Sequence, residues 1–129
     1  MLASASRSSI GFPTGVSGRA EVERTDFSVD AQRAGSTLFL ALAGEFDWAV
    51  TGHVEGALKR ACEDTVEHVV FDLSDLTFID ITGLKVILRT NEGAPAHGFD
   101  VTVIRPRGLA NRIFTLTRAA ETLEIVDRL

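Results

Sequence analysis

The side chains best suited to chemistry lie in one short segment, residues 71–84 (FDLSDLTFIDITGL). A helix is expected to begin near Thr82, and the Thr82 hydroxyl would then be its N-cap. Such a hydroxyl lies beside the unpaired backbone N–H groups of the first helical turn, which together with the helix dipole attract negative charge. A phosphate on Thr82 would therefore be tolerated, and it would add about −1.5 to −2 charge beside Asp80 and, if the loops converge, Asp47. This chemistry predicts a switch in which phosphorylation changes the binding of a partner at that surface.

Each of these three side chains also has a purely structural interpretation. Thr82 could be an unmodified helix cap, which contributes about 1 kcal/mol to stability. Asp80 could be a loop residue that accepts hydrogen bonds from nearby backbone N–H groups. Asp47 could be no more than the cap of a helix that begins near Ala49. The residue types alone leave both interpretations open.

A longer pattern surrounds these residues. Residues 69–74 (VVFDLS) are followed by residues 78–84 (FIDITGL), and residues 44–47 (GEFD) precede both. These stretches resemble the signature of STAS domains, in particular of bacterial anti-sigma-factor antagonists, in which a Gly-Glu-Leu-Asp segment ends an early strand. The resemblance extends in order and spacing over residues 21–129. It implies that this part of the chain is one STAS-like domain.

The resemblance implies a regulator and not an enzyme. In the family, a Ser or Thr directly before the Gly of this motif is phosphorylated by an anti-sigma factor that is itself a serine kinase, and only the unmodified antagonist captures that partner. The matching residue is Thr82. Many relatives have a second Ser or Thr where this chain has Ile81, so one hydroxyl remains at the motif. The expected partners are an anti-sigma-factor kinase, whose capture frees a sigma factor, and a phosphatase that removes the phosphate.

The residues expected to bind the partner come from this motif and from the GEFD segment. Trp48 could be an interface anchor, because exposed Trp is enriched at binding hot spots, or an aromatic at the rim of the core. Gly83 is expected because a side chain there would obstruct a phosphate or a partner backbone. Some STAS domains are never phosphorylated, so the alternative function is a scaffold or ligand-sensing module. The full predicted surface comprises Asp47, Trp48, Asp80, Ile81, Thr82 and Gly83.

The remaining reactive residue types form no pattern that predicts catalysis, a metal site or a cofactor site. Cys62 precedes two acidic residues and lacks the cationic surroundings that would lower its pKa. The three histidines fall on separate predicted elements, and no nucleotide-binding motif is present. A receiver-like phosphoaspartate at Asp72 would need an acidic pair after the first strand and a Lys after a later strand. Residues 30–35 (DAQRAG) hold one Asp and residues 104–106 (IRP) hold no Lys.

The apolar spacing predicts the strands and helices that must position the motif. The predicted strands are residues 27–29, which precede a turn at 31–35, and residues 38–42, 66–73 and 101–104. A short loop with the apolar anchors Phe78 and Ile79 is expected before the second helix. Residues 121–129 are predicted to form a last short strand or helix. Helices are predicted from three apolar stripes, which are Val50, Val54, Ala57, Leu58 and Ala61; Leu84, Ile87 and Leu88, ending near Asn91; and Leu109, Ile113 and Leu116.

Strands that alternate with helices through short connections predict an α/β fold. The expected sheet has four to five strands, is mostly parallel with an antiparallel edge strand, and packs against three to four helices. A chain of 129 residues that is 45% hydrophobic is expected to be a single domain with a real core. Residues 1–20 are rich in Ser, Gly and Ala and are expected to be a flexible tail. The predicted domain is therefore residues 21–129.

Charge and hydropathy restrict the expected partners and compartment. The formal net charge of −5 argues against a direct nucleic-acid partner, because nucleic-acid-binding domains carry a basic face. No apolar run approaches the roughly 18 to 20 residues that span a bilayer, and the first residues lack the apolar stretch of a secretory signal. The single Cys62 can form no internal disulfide. We therefore expect a cytoplasmic protein without a membrane partner.

Overall fold

The structure, a computed structural model, describes residues 26–62, 65–118 and 121–129. The predicted flexible tail, residues 1–20, lies outside the described residues, as do the first residues of the predicted domain. Both boundaries therefore stay predictions.

Five strands of the described chain form one sheet. They are β1 Phe27–Ala34, β2 Thr37–Phe46, β3 His68–Ile79, β4 Asp100–Ile104 and β5 Glu124–Val126. Their order across the sheet is their order along the chain. β1 pairs antiparallel with β2, and every other neighbouring pair is parallel. This arrangement confirms the predicted α/β fold with a mostly parallel sheet and an antiparallel edge strand.

Three α-helices and one short 3-10 helix connect these strands in the part of the chain that is described. They are the 3-10 helix Trp48–Val50, α1 Thr51–Ala61, α2 Ile81–His97 and α3 Gly108–Leu116. Because the strands are in sequential order, right-handed crossovers place the three α-helices on the same face of the sheet. Their buried side chains form one hydrophobic core with that face.

The core consists of alternate residues of the central strands. Leu38, Leu40 and Leu42 on β2 are at most 1% exposed, whereas the residues between them are half-buried. This alternation is expected of a strand that has one face covered by helices. The predicted stripe on α1 is confirmed, because Val54 and Ala57 are buried in the same core. Neighbouring strands contribute Val69, Phe71, Leu73, Val101 and Val103.

The first hairpin turns later than predicted. Residues 31–34 are strand and not turn, since backbone pairing with β2 continues until Ala34 lies opposite Thr37. The chain then reverses at Gly35 and Ser36. A two-residue connection of this kind is common between antiparallel strands.

The strand that leads to the motif is also longer than predicted. β3 continues to Ile79 through two register shifts in its pairing with β2, each of which inserts an extra β3 residue as a bulge. In the first bulge the Asp72 carboxylate accepts hydrogen bonds from the Ser74 backbone N–H at 3.0 Å and the Ser74 hydroxyl at 2.7 Å. The predicted loop anchored by Phe78 and Ile79 is therefore wrong, because the bulges absorb polar residues without ending the strand.

The second helix extends beyond its predicted end near Asn91 and includes Pro95. Ala94 in the same turn is 2% exposed and packs in the core, which holds the end of the helix against the sheet. The helix ends at Gly98, whose φ of 81° lies in the left-handed region that stops helices.

The third helix buries a face that shares only Ile113 with the predicted stripe. Ala110 and Phe114 are fully buried, whereas Leu109 is 55% exposed and Leu116 is 75% exposed. Both faces of this short helix are apolar, so spacing alone did not distinguish them. Packing selects Phe114 because its ring removes a large apolar area from water.

Candidate functional site

The ends of β2 and β3 bring the two predicted acidic residues to one edge of the sheet. Phe46, the last residue of β2, pairs with Ile79, the last residue of β3. Asp47 and Asp80 follow directly, and the Asp80 backbone N–H donates a hydrogen bond to the Phe46 carbonyl at 3.1 Å. Because the strands are parallel, their carboxyl ends meet, and the two segments predicted from separate parts of the sequence converge here.

Asp80, and not Thr82, is the N-cap of α2. The Asp80 backbone is extended, and its Oδ1 accepts a hydrogen bond from the Gly83 N–H at 2.9 Å. Thr82 lies within the first helical turn, and its hydroxyl donates to the same Oδ1 at 2.6 Å. The prediction of Thr82 as the cap is therefore wrong, because the helix begins at Ile81. Asp is itself a preferred N-cap residue, so the sequence did contain a signal for this role.

The second carboxylate oxygen of Asp80 reaches across to the other segment. Its Oδ2 accepts a hydrogen bond from the backbone N–H of Trp48 at 3.2 Å. The two residues are separated by 32 positions in the chain. Sequence reasoning missed this contact, since nothing in either segment indicates which backbone group a carboxylate will find across a sheet edge.

The charge of Asp80 is stabilised in the fold. Burial raises the pKa of its carboxyl, but hydrogen bonds from the Thr82 hydroxyl and from the backbone N–H groups of Gly83, Trp48 and Thr82 outweigh that effect. The net result is a pKa below the ordinary value of an aspartate. Asp80 is therefore a carboxylate at neutral pH and an acceptor for every group around it.

Asp47 has the capping role that was its structural alternative. Its Oδ1 accepts from the Ala49 backbone N–H at 3.0 Å and caps the 3-10 helix. The next residue, Trp48, is 72% exposed, so it is not an aromatic at the rim of the core. The cap presents this large apolar side chain to solvent at the sheet edge.

Gly83 is required by close packing inside the molecule. A Cβ at this position would lie 2.7 Å from the Phe46 carbonyl oxygen and 3.0 Å from Cγ of the Phe46 ring. The Ile79 side chain would lie 3.2 Å away. The close approach of α2 to the end of β2 is thus sufficient to explain the glycine. The sequence had instead suggested that a side chain there would obstruct a phosphate or a partner backbone.

The site therefore combines a hydroxyl with exposed apolar side chains. Thr82 is half-buried, and Ile81 beside it is 52% exposed. All six residues of the predicted surface lie in the two segments that Asp80 joins, but Gly83 is buried and is not part of the exposed surface. Chemically, this surface offers a hydroxyl for modification, a carboxylate beside it, and two large apolar side chains for contact.

The Cys62 thiol lies at the far end of α1 from this edge. Burial raises the pKa of the Cys62 thiol, and the nearby Arg33 offsets only part of that rise. Arg33 is a cationic neighbour that the local sequence did not indicate, but its effect is too small to activate the thiol. Across the described ranges, no three His, Cys, Asp or Glu side chains form a group that could hold a metal ion. No helix in those ranges is both long and apolar enough to cross a membrane.

Comparison with known proteins gives a consistent result. A family model described as the STAS domain matches residues 28–129. The fold is similar to that of an anti-sigma factor antagonist from Mycobacterium paratuberculosis, with 24% sequence identity and a TM-score of 0.71 over 84% of this chain and 92% of that one. It is similar to the unphosphorylated anti-sigma factor antagonist SpoIIAA, with 16% identity and a TM-score of 0.64 over 78% and 87% of the two chains. For phosphorylated SpoIIAA of Bacillus the values are 16% identity and a TM-score of 0.58, over 78% and 90%.

Proposed function

The chain belongs to the STAS domain family, and we propose that it is an anti-sigma-factor antagonist regulated at Thr82. Its unmodified form binds a serine-kinase-type anti-sigma factor and so frees a sigma factor, and phosphorylation of Thr82 switches that binding off. The observation that carries the proposal is the Thr82 hydroxyl in the first turn of α2, on a surface that also exposes Trp48 and Ile81. We expect the function to be exerted in the cytoplasm by the domain of residues 21–129.

The proposed modification needs only a hydroxyl from this chain. The kinase supplies ATP and Mg²⁺, as in other phosphoryl transfers. A bond forms between Thr82 Oγ1 and the γ-phosphorus while the bond from that phosphorus to the bridging oxygen breaks. ADP leaves, and the hydroxyl proton passes to a base on the kinase. The Thr82 hydroxyl must first give up its hydrogen bond to Asp80, so the kinase has to compete with that carboxylate.

The added charge explains why the modified protein would be released. A phosphate carries about −1.5 to −2 charge at pH 7. Docking against Trp48 and Ile81 would remove that charge from water, and burial of an unpaired charge is strongly unfavourable. Repulsion from the adjacent Asp80 carboxylate grows when the partner excludes water and adds to the cost. A phosphatase that removes the phosphate would restore the binding form.

Phosphate mapping tests the proposed acceptor. The full chain is incubated with candidate anti-sigma-factor kinases and ATP, and the modified residue is identified by mass spectrometry. We expect phosphate on Thr82 in the wild type and none in Thr82→Ala. Thr77→Ala is the matched control, because Thr77 is an exposed threonine on the neighbouring strand and its loss should leave labelling unchanged. Phosphate found only at other residues would contradict the proposal.

A charge-mimicking variant tests the switch separately from the transfer. Thr82→Glu should retain the fold but bind the anti-sigma factor more weakly than the wild type, with binding measured by isothermal titration calorimetry. Thr82→Val, which removes the hydroxyl without adding charge, is the control. Equal affinity of the Glu variant and the wild type would argue against electrostatic control of binding.

The alternative function is a STAS scaffold or ligand-sensing module that is never phosphorylated. One observation favours it, because the hydrogen bond from Thr82 to Asp80 at 2.6 Å gives the threonine a structural role that needs no modification. This function predicts that ATP has no effect on partner binding by either the wild type or Thr82→Ala. The antagonist function predicts that ATP weakens binding by the wild type alone.

A further inference from the structure

The two oxygens of the Asp80 carboxylate serve two different segments. Oδ1 accepts from the Thr82 hydroxyl at 2.6 Å and from the Gly83 N–H at 2.9 Å, both in α2. Oδ2 accepts from the Trp48 N–H at 3.2 Å, in the 3-10 helix after β2. One rigid carboxylate therefore fixes the first turn of α2 and the backbone of Trp48 at the same time.

Trp48 depends on Asp80 in a way that the rest of its segment does not. The Ala49 N–H is held by the Asp47 carboxylate at 3.0 Å, and the Val50 N–H donates to the Asp47 carbonyl at 3.1 Å. Val50 is also fully buried in the core. Loss of the Asp80 contact should therefore leave the Trp48 N–H without its acceptor, while the Trp48 carbonyl still accepts from the Thr51 hydroxyl at 3.2 Å and the remainder of the 3-10 helix stays in place.

Phosphorylation of Thr82 acts directly on this carboxylate. The proton that Oγ1 donates to Oδ1 is replaced by phosphorus, so that hydrogen bond is lost. The phosphate also places about −1.5 to −2 charge at hydrogen-bonding distance from the Asp80 carboxylate, and like charges so close repel. Phosphate oxygens are good acceptors for N–H groups at a helix start and can replace Asp80 there. The Asp80 side chain is then expected to move, and Trp48 loses its acceptor.

We propose that Asp80 is a positioning residue that transmits the modification state of Thr82 to Trp48. The unmodified protein holds the Trp48 N–H and so orients the exposed indole for partner contact, and the phosphorylated protein releases that N–H. This inference rests on the proposed phosphorylation of Thr82, and it adds a conformational component to the electrostatic one. The two components act on the same surface.

The composition of the chain makes the proposal measurable. The sequence contains one Trp, so selective ¹⁵N-tryptophan labelling gives a single backbone amide resonance, from Trp48. Phosphothreonine is placed at position 82 of the full chain by genetic encoding, which requires no kinase. We expect the Trp48 amide resonance to move upfield and its hydrogen exchange to become about tenfold faster, as for loss of a hydrogen bond to a charged acceptor. The Ala49 amide, observed after uniform labelling, should remain protected. An unchanged Trp48 amide in the phosphorylated protein would overturn the proposal.

Two variants separate transmission through Asp80 from a general effect of the phosphate. In Asp80→Asn one of the two acceptor oxygens becomes an NH₂ donor, so phosphothreonine should change the Trp48 amide much less than in the wild type. Asp47→Asn is the matched control, since Asp47 caps the same 3-10 helix without contacting Thr82 in any described hydrogen bond, and it should respond as the wild type does. If phosphothreonine changed the Trp48 amide resonance and its hydrogen exchange in Asp80→Asn as much as in the wild type, the proposal would be overturned.

Failure of this inference is distinguishable from failure of the proposed function. A kinase that labels Thr82 without moving the Trp48 amide would leave the antagonist function standing and overturn the role of Asp80. Encoded phosphothreonine that moves Trp48, in a protein that no kinase labels, would support the role of Asp80 and contradict the proposed modification.

Discussion

At the scale of single residues, Asp80 determines the geometry around the hydroxyl. Its carboxylate caps α2 through Gly83, orients the Thr82 hydroxyl and holds the Trp48 backbone. The same contacts hold its pKa below the ordinary value, although burial acts in the opposite direction. A charge stabilised only in the folded state contributes to folding stability, and the contribution depends on pH.

The first prediction concerns this pH dependence. The folded pKa of Asp80 lies below its unfolded value of about 3.9, so its stabilisation is fully present above that value and is lost as pH falls through the folded pKa. The difference in unfolding free energy between the wild type and Asp80→Asn should therefore be constant above about pH 5 and shrink at lower pH. Urea unfolding at several pH values measures it, and the other carboxylates cancel because both proteins carry them. A difference that stays constant into the acid range would contradict the assigned direction.

At the scale of elements, the site depends on how closely α2 approaches the end of β2. The approach is set at Gly83, where there is no room for a Cβ beside Phe46. Because the Phe46 contact includes a backbone carbonyl oxygen, the obstacle cannot move aside as the tip of a flexible side chain could. The position of the first turn of α2, and with it Thr82, follows from this contact.

The second prediction tests that approach. Gly83→Ala should lower the free energy of unfolding by about 1–3 kcal/mol, because the added methyl group overpacks the contact with Phe46. Gly93→Ala in the same helix is the control, since a Cβ there meets no atom within 4 Å. It should stabilise the protein by about 0.5–1 kcal/mol, as alanine does in place of a helical glycine. Urea unfolding distinguishes the two, and a similar effect at both positions would argue against close packing at Gly83.

The third prediction concerns the buried face of α3. Phe114→Ala should cost about 3–5 kcal/mol of unfolding free energy, since it removes a fully buried ring from the core. Leu116→Ala, at a residue that is 75% exposed, should change the stability by no more than about 0.5 kcal/mol. The order would be reversed if the face predicted from the spacing of Leu109, Ile113 and Leu116 were the buried one. Thermal and urea unfolding of the two variants decide between the faces.

At the scale of the whole molecule, four of the five exposed large apolar side chains of the described residues lie on two separate surfaces. Trp48 and Ile81 lie at the edge where β2 and β3 end, whereas Leu109 and Leu116 lie on α3. The proposed function places the partner at the first of these surfaces, because Thr82 is part of it. The second surface then serves as an internal comparison for any binding measurement.

The fourth prediction follows from this difference. Trp48→Ala should weaken binding of the anti-sigma factor by about 2 kcal/mol or more, which is about thirtyfold in Kd, as truncation of an aromatic hot spot does. Leu116→Ala removes a side chain of similar exposure from α3 and should leave the Kd unchanged. Titration calorimetry with the same partner preparation measures both. A larger effect from Leu116→Ala would place the interface on α3.

Local pattern was sufficient for the elements that have one apolar face. The stripe on α1, the run of β2 and the alternation of strands with helices all predicted the observed α/β fold, because burial of a periodic apolar face leaves few arrangements. The pattern did not predict the end of α2 or the buried face of α3, where the local sequence was compatible with more than one structure. The helix α2 continues past its predicted end near Asn91, because Ala94 is buried in the core, and α3 offered two apolar faces of which packing selects the one with Phe114.

The sequence by itself determined the family resemblance, the fold class and the motif that contains Thr82, because these depend on residue type and on spacing along the chain. Only the tertiary structure decided that Gly83 is required by Phe46 and that the Trp48 backbone is held by a carboxylate 32 positions away. The physical reason is that these contacts join two strand ends that are distant in the chain. Their partners are backbone groups, which every residue possesses and no sequence pattern marks.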